Sequence, residues 1–323
     1  MLTRRMLIAA AAAAATGAAP LRAQARYPDK PIRLIVPFGP GGLADITSRV
    51  VGDRLSQVLG QRIVIVNQPG AGGVAAAQTA LTGPADGYTL VLFTNGTAIS
   101  VPLVKELGYD PLTQFAPVSS LGFFDFLILT SGDHPHKTLG DLLAAAKARP
   151  GALNIGTINV GSSQNLSANL FRSMANVSME IVPFRTTPDA ITALLRKDVD
   201  LVIDGYVAAK ALMQEGKLRA LATSGPRRFA GLPDVPTVAE SGVPGFDVTS
   251  WNAVFAPAGT PAEVVRVLNE AIVSSLGDAG VRQRLLDLGI EPGGGTPAAI
   301  GERLKTDIAR WGEVIRRAGI QQQ

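Results

Sequence analysis

The sequence contains no cysteine and only two histidines, and both shortages narrow the chemistry available to the chain. Without cysteine there is no disulfide, no thiolate nucleophile and no cysteine-ligated metal site. His134 and His136 lie two residues apart in one predicted loop, and two metal ligands without a third are weak evidence for a metal centre. We therefore expect no metal and no cofactor, and we interpret this loop as solvated.

The sequence also lacks the motif of a hydrolytic site. Nucleophilic catalysis needs a base and an orienting group beside the nucleophile. Ser162 and Ser163 could supply a hydroxyl, but no G-x-S-x-G pattern surrounds either serine. At a predicted helix start they are better interpreted as a cap and as hydrogen-bond donors to an anion. We expect that the chain is not an enzyme, and an exported hydrolase is the weakest of the functional alternatives.

The first 25 residues have the pattern of a secretory signal peptide. A basic start, Thr3-Arg4-Arg5, precedes an alanine-rich apolar segment over residues 6–19, and Ala23-Gln24-Ala25 supplies a cleavage site. The apolar segment is too short and too alanine-rich to favour a membrane-spanning helix. We predict cleavage after Ala25 and export, which for a chain without disulfides fits a bacterial periplasm.

Little net charge remains once that segment is removed. The full chain has 30 Lys and Arg against 26 Asp and Glu, and three of the basic residues, Arg4, Arg5 and Arg22, belong to the signal peptide. A nearly neutral mature chain gives no argument for binding to nucleic acid or to a membrane surface. We expect no nucleic-acid partner and no direct membrane insertion.

Glycine is plentiful, and one glycine-rich loop organises the N-terminal part of the chain. Leu34 to Val36 predict a buried strand, residues 37–42 break regular structure, and helical periodicity begins at Leu43. Such a turn presents backbone N–H groups at the positive end of a helix dipole, which suits an anion. The spacing matches no nucleotide-binding fingerprint, and a strand-to-helix turn without a ligand stays open as the alternative. We interpret Asp45 as a structural residue of the first helical turn.

Further predicted strands end in loops that are rich in glycine, hydroxyl or carboxyl groups. The loops begin at Asn67, Thr94, Gly156 and Asp204. In an open α/β sheet the carboxyl ends of the strands form one rim, and ligands bind there. For Asp204 we keep two interpretations, a turn or cap residue and an acceptor that faces the ligand.

Two extended runs, residues 115–130 and 246–255, flank a self-contained strand-and-helix series. They predict a chain that crosses between two lobes twice. The predicted fold class is α/β, with lobe 1 formed by residues 26–127 plus 249–323 and lobe 2 by residues 128–248.

Several motifs resemble one family along nearly the whole mature chain. They are Tyr27-Pro28-x-Lys30-Pro31-Ile32-Arg33, Val36-Pro37-Phe38-Gly39-Pro40-Gly41-Gly42, Asn67-x-Pro69-Gly70-Ala71-Gly72-Gly73, Asp86-Gly87-Tyr88-Thr89-Leu90, Leu232-Pro233-Asp234-Val235-Pro236-Thr237 and Ala256-Pro257-Ala258-Gly259-Thr260-Pro261. Together they are similar to the Bug-type proteins, the periplasmic solute-binding components of tripartite tricarboxylate transporters.

The resemblance implies a type II-like periplasmic binding protein, with a βα sheet and flanking helices in each lobe. It implies a monomer that holds a small carboxylated solute between the lobes and delivers it to the membrane components of the transporter. A periplasmic sensor with a signalling partner would use the same fold and site. Pro183-Phe184-Arg185-Thr186 departs from the family's usual Pro-Tyr-Lys-Gly, so no contact from a tyrosine hydroxyl is expected there.

From the loops and the resemblance together we predict the ligand-binding residues. They are Phe38, Gly41, Gly42, Ala71, Thr94, Gly96, Thr97, Ser162, Ser163, Gln164 and Asp204.

Overall fold

The computed structural model describes residues 27–317 and 320–322. The predicted signal peptide and its cleavage site at Ala25 lie outside the described residues. The strands are β1 Ile32–Val36, β2 Ile63–Asn67, β3 Thr89–Thr94, β4 Phe115–Ser131, β5 Asn154–Ile158, β6 Glu180–Phe184, β7 Leu201–Gly205, β8 Leu218–Thr223, β9 Thr249–Pro257 and β10 Glu291–Gly294. The α-helices are α1 Leu43–Leu59, α2 Val74–Leu81, α3 Asn95–Leu103, α4 Leu139–Ala148, α5 Ser163–Met174, α6 Thr187–Arg196, α7 Tyr206–Gln214, α8 Ala262–Gly277, α9 Ala279–Asp287 and α10 Pro297–Arg317.

The strands form one continuous path in the order β2-β1-β3-β9-β4-β7-β5-β6, and β8 and β10 also pair with β4. The first sheet section, β2-β1-β3-β9-β4 with β10, has parallel β1, β2 and β3 and an antiparallel β9. The second sheet section, β4-β7-β5-β6 with β8, has parallel β5, β6 and β7. Helices join the parallel strands, as this strand direction requires.

Strand β4 belongs to both sheet sections. Its N-terminal part pairs with β9 as far as Asp125, and its C-terminal part pairs with β7 from Phe126 onward. The extended run predicted over residues 115–130 is thus a single strand of 17 residues. The second extended run is a strand only from Thr249, through which the chain returns to the first section. The lobe boundaries after residues 127 and 248 stay a prediction.

Local sequence signals explain most element ends. Leu34, Ile35 and Val36 are buried as an internal parallel strand requires, and Gly60 ends α1 in the left-handed conformation at φ 66°. The sequence Thr138-Leu139-Gly140-Asp141 predicts a capping box, and Thr138 and Asp141 form it at the start of α4.

Two local predictions are wrong in detail. The sequence Thr187-Pro188-Asp189 predicts Thr187 as the cap of α6, but the cap is Thr186, whose hydroxyl accepts a hydrogen bond from the Asp189 N–H. Residues 94–97, predicted as a loop, are the start of α3. The Thr94 side chain accepts from the Gly96 N–H at 3.0 Å, and the Thr94 N–H donates to Thr97 Oγ1 at 3.2 Å. This reciprocal cap begins a helix that apolar periodicity does not reveal.

The C-terminal helix α10 is held to the first sheet section by the two tryptophans of the chain. Trp251 Nε1 donates to Asp307 Oδ2 at 2.7 Å, and Arg303 Nε donates to the same oxygen at 2.7 Å. Trp311 Nε1 donates to Asn95 Oδ1 at 2.8 Å at the start of α3. Both indoles are buried, so each N–H needs such an acceptor.

Asp307→Ala should destabilise the fold by about 2 kcal/mol, because it leaves the buried Trp251 N–H without its acceptor. Urea denaturation followed by tryptophan fluorescence measures this. Glu302→Ala, on the exposed side of the same helix, is the matched control and should change the free energy of unfolding by less than about 0.5 kcal/mol. Equal stability of the two variants would contradict the assigned role of Asp307.

Candidate functional site

Loops from both sheet sections enclose two small adjoining cavities, which we call the cleft. The first cavity is lined by Phe38, Leu43, Ala44, Thr94, Phe124, Ile158, Ser163, Gln164, Ser250 and Asn252. The second is lined by Pro37, Phe38, Gly70, Gly72, Gly73, Thr94, Gly96, Thr97, Val160, Gly161 and Ser162. Phe38 and Thr94 line both cavities, so the two form one site.

Most of the residues predicted from the sequence meet in this cleft. Those that line it are Phe38, Thr94, Gly96, Thr97, Ser162, Ser163 and Gln164. Gly41, Gly42, Ala71 and Asp204 do not line either cavity in this arrangement. The prediction that all of these residues contact a ligand has no test in the geometry alone and stays a prediction.

Helix α1 begins at the cleft without a side-chain cap. Its N-cap is Gly42, which has no side chain to accept from the first-turn N–H groups, and Leu43 and Ala44 line the first cavity. The first N–H groups of a helix have no partner within the helix, so another acceptor has to satisfy them. An anion in the cleft would fill this role, since the helix dipole is positive at this end.

Asp45 is structural, as its position in the first helical turn predicts. Its carboxylate accepts from the Gly41 N–H at 3.0 Å, from Asn67 Nδ2 at 2.9 Å and from Arg49 Nε at 3.0 Å. Burial alone would raise the pKa of Asp45, but these hydrogen bonds outweigh it and hold the pKa below its ordinary value. The carboxylate therefore fixes the shape of the glycine loop and occupies the Gly41 N–H.

The starts of α3 and α5 face the same cleft from the two sheet sections. In α5, Ser162 Oγ accepts from the Asn165 N–H at 3.1 Å, and Ser163 Oγ accepts from Ser250 Oγ at 3.1 Å. In α3, the cap residue Thr94 and the next-turn residue Thr97 both line the cleft. Three helix N-termini, those of α1, α3 and α5, thus converge on one small space. No lining residue of either cavity carries an ionisable side chain.

Asp204 lies beneath the cleft rather than on its surface. Its side chain is fully buried and accepts from Thr187 Oγ1 at 2.7 Å, from the Gly205 N–H at 2.7 Å and from Gln164 Nε2 at 3.3 Å. Burial raises the pKa of this carboxyl above its ordinary value, although the three hydrogen bonds act against the rise. The carboxylate supports Gln164 from behind in this arrangement, and the interpretation of Asp204 as an acceptor facing the ligand stays a prediction.

The crossing strands supply cleft residues that the sequence reasoning missed. Phe124 of β4 and Ser250 and Asn252 of β9 line the first cavity. Asn252 Nδ2 donates to Thr47 Oγ1 at 3.1 Å, whereas Asn252 Oδ1 is buried without a hydrogen-bond partner among the described residues. Ser250 and Asn252 stand at alternate positions of β9, and this spacing was the available signal, since alternate residues share one face.

Glycines allow the loops of the two sheet sections to touch. The Gly72 N–H donates to Val160 O at 3.2 Å, and Ser100 Oγ donates to Gly161 O at 3.3 Å. A Cβ on Gly39 would lie 2.5 Å from Thr186 Cγ2, and one on Gly96 would lie 2.8 Å from Gly161 O. Any side chain at these two positions would push the sections apart.

Among residues 27–317 and 320–322, no group of three or more His, Asp or Glu side chains is placed to hold a metal ion. In the same part of the chain, no helix combines the length and apolar character needed to cross a bilayer.

Several solved structures share the fold at 30% sequence identity or more, including the following three. The periplasmic binding protein BugD is 30% identical with a TM-score of 0.88, over 92% of this chain and 100% of that protein. Rpa4515 of R. palustris with adipate is 37% identical with a TM-score of 0.87, over 91% and 99% of the two chains. MatC of Rhodopseudomonas palustris with bound malate is 33% identical with a TM-score of 0.84, over 90% and 100%.

These similarities confirm the predicted fold class, which is the mixed α/β fold of periplasmic binding proteins. A family model described as "Tripartite tricarboxylate transporter family receptor" matches residues 47–320. Members of this family are solute-binding receptors and not enzymes, as the sequence predicted for this chain. The protein therefore belongs to the tripartite tricarboxylate transporter receptor family.

Proposed function

We propose that this receptor binds a small dicarboxylate in the cleft, in the periplasm, and delivers it to the membrane components of a tripartite tricarboxylate-type transporter. The observation that carries the proposal is the convergence of three helix N-termini on a cleft without ionisable lining side chains. MatC with malate and Rpa4515 with adipate support the choice of a dicarboxylate.

Neutral donors are sufficient to hold a carboxylate in such a site. A helix N-terminus stabilises an anion by roughly 0.3–1 kcal/mol, and a hydrogen bond to a charged group contributes roughly 1.5–3 kcal/mol. The lining hydroxyls of Thr97 and Ser163 and the Gln164 amide add to the backbone N–H groups. Arg185, the basic residue of the nearby loop, is exposed and lines neither cavity.

We further propose that residues 26–127 plus 249–323 and residues 128–248 are two lobes that open and close around the ligand. The change of partners along β4 between Asp125 and Phe126 supports a boundary near this point. The two cleft cavities measure about 20 and 10 Å³, which is room for about one water each. A dicarboxylate therefore needs the lobes to separate before it can enter, and the contacts across the cleft then form as the lobes close.

Ser163→Ala and Thr97→Ala should each weaken dicarboxylate binding by about tenfold, because each removes a hydroxyl from the cleft. Arg185→Ala should change the affinity by less than about twofold, as expected for an exposed charge. Isothermal titration calorimetry with malate and adipate measures both effects, after a thermal-shift screen of mono-, di- and tricarboxylates has ranked the ligands. The proposal fails if no carboxylate binds, or if the loss of Arg185 abolishes binding while both hydroxyl variants bind normally.

Gly39→Ala should weaken dicarboxylate binding by about tenfold, because the new Cβ would meet Thr186 of the other sheet section. Gly39 itself lines neither cavity, so the substitution removes no group from the cleft lining. The variant should also show a smaller ligand-induced compaction in small-angle X-ray scattering. Gly140→Ala is the matched control, since a Cβ there meets only Thr138 Oγ1 at 3.8 Å on an exposed helix. Wild-type affinity and compaction in Gly39→Ala would refute closure through this contact.

The difference in the free energy of unfolding between the Asp204→Asn variant and wild type should move in favour of the variant as the pH rises. The pKa of the buried carboxyl is raised on folding, so the folded protein retains a proton that the unfolded chain releases. The carboxyl therefore lowers the free energy of unfolding progressively as the pH rises above about 4, the ordinary pKa of an aspartate. An amide does not titrate and has no such effect. Urea titrations at several pH values between about 4 and 7 measure the difference, with exposed Asp234→Asn as control. A difference that shrinks with rising pH would contradict the raised pKa.

A further inference from the structure

A second and much larger cavity lies behind the cleft, and we call it the hinge-side pocket. Its volume is about 860 Å³. It is lined by Phe123, Phe124, Asp125, Tyr206, Lys210, Pro226, Arg227, Arg228, Phe229, Ala230, Gly231, Thr249, Leu286, Asp287, Gly289, Ile290 and Glu291. Phe124 lines both this pocket and the cleft. The volume falls within the range of about 300–1,000 Å³ that is usual for small-molecule sites.

The walls of the hinge-side pocket come from both sheet sections. Helix α7 and the loop over residues 225–231 form one wall, and α9 with β10 forms the opposite wall. Lys210 Nζ donates to Asp287 O at 2.8 Å between these walls. A Cβ on Gly289 would lie 2.9 Å from Tyr206 Cβ, so α7 rests directly against the backbone of the other wall. The width of the pocket is thus fixed by contacts between the two sections.

Apolar side chains provide one surface of the pocket. The rings of Tyr206 and Phe229 pack against each other with centroids 5.1 Å apart, and Phe123 lies on the adjoining strand. Leu286, on the opposite wall, is 42% exposed. Aromatic faces and an exposed leucine around one cavity suit an aromatic or aliphatic body.

The charged side chains of the pocket differ in how many of their atoms already have a hydrogen-bond or ion-pair partner. Arg228 is paired with Glu240, Asp287 Oδ1 accepts from Gln283, and Asp125 Oδ1 accepts from Thr249. Arg227 is exposed and has no hydrogen bond or ion pair within residues 27–317 and 320–322, but it lies close enough to Asp125 for its positive charge to oppose the rise in the pKa of that carboxyl. The Lys210 ammonium uses one of its three N–H groups on Asp287 O. Glu291 is an acid without such a partner in the same ranges, and it lies on the opposite wall.

Available donors therefore exceed available acceptors on the wall that carries the aromatic rings. A guanidinium offers five N–H groups in a planar fork that matches a carboxylate or a sulfonate. Beside the Tyr206–Phe229 pair, it would hold an anionic head while the rings hold the body.

We propose that the hinge-side pocket is a second ligand site, which binds an amphipathic organic anion through Arg227, Lys210 and the Tyr206–Phe229 ring pair. The site is separate from the cleft, so it does not depend on the dicarboxylate proposed there.

Fluorescence titration of the full chain with 8-anilinonaphthalene-1-sulfonate, an aromatic sulfonate, tests this site. One saturable site per chain is expected. Arg227→Ala and Phe229→Ala should each weaken it by about tenfold, and Arg227→Glu by more. Arg282→Ala is the control, because it removes an exposed positive charge of α9 that does not line the pocket. Circular dichroism of each variant checks that the fold is retained. Because Arg227 is exposed, its variants are expected to fold as wild type does.

The cleft variants Ser163→Ala and Thr97→Ala separate the two sites. They should leave binding of the dye unchanged if it occupies the hinge-side pocket. The proposal is overturned if the dye shows no saturable binding up to roughly 1 mM. It is also overturned if the Arg227 and Phe229 variants bind the dye as wild type does, whatever the effect of the cleft variants.

Discussion

The backbone of strand β4 runs unbroken through both sheet sections, and the positions of the other elements follow from its pairing. Buried N–H and C=O groups need partners along the whole strand, so β9 and β10 must cover its first part and β7 and β8 its second. This places the carboxyl ends of β1, β3, β5 and β7 around one space. It also places Phe124 between the cleft and the hinge-side pocket, so movement of the proposed lobes about this point would change both cavities together.

The proposed binding cleft presents three helix N-termini and several hydroxyl groups, and none of its lining residues has an ionisable side chain. Backbone N–H groups at helix N-termini have fixed directions, so they favour an acceptor in one position. The glycine loop, with α1 capped by Gly42, leaves backbone N–H groups at the cleft because no side chain stands in front of them. The same lack of side chains permits the close contacts between the sections at Gly39 and Gly96.

Three buried carboxylates support these elements from inside. Asp45 shapes the glycine loop, Asp204 holds Gln164 and Thr187, and Asp307 holds the Trp251 indole. Each accepts several hydrogen bonds, which offset the cost of burying a carboxylate. Asp45 and Asp204 therefore act on the shape of the cleft, while the side chains that line it are not ionisable.

The sequence by itself determined most of the strands and the glycine-rich turns, because burial periodicity and turn residues are local signals, and its motifs identified the family. Seven of the eleven residues that it predicted for the site line the cleft, since parallel strands bring their carboxyl ends to one rim. Only the tertiary structure decided that residues 94–97 start a helix, that Asp204 faces inward, and that Ser250 and Asn252 of β9 line the cleft. The hinge-side pocket could not be predicted from the sequence either. The elements that line it are distant in sequence and meet only through packing around β4; they are α7, α9, β10 and the loop over residues 225–231.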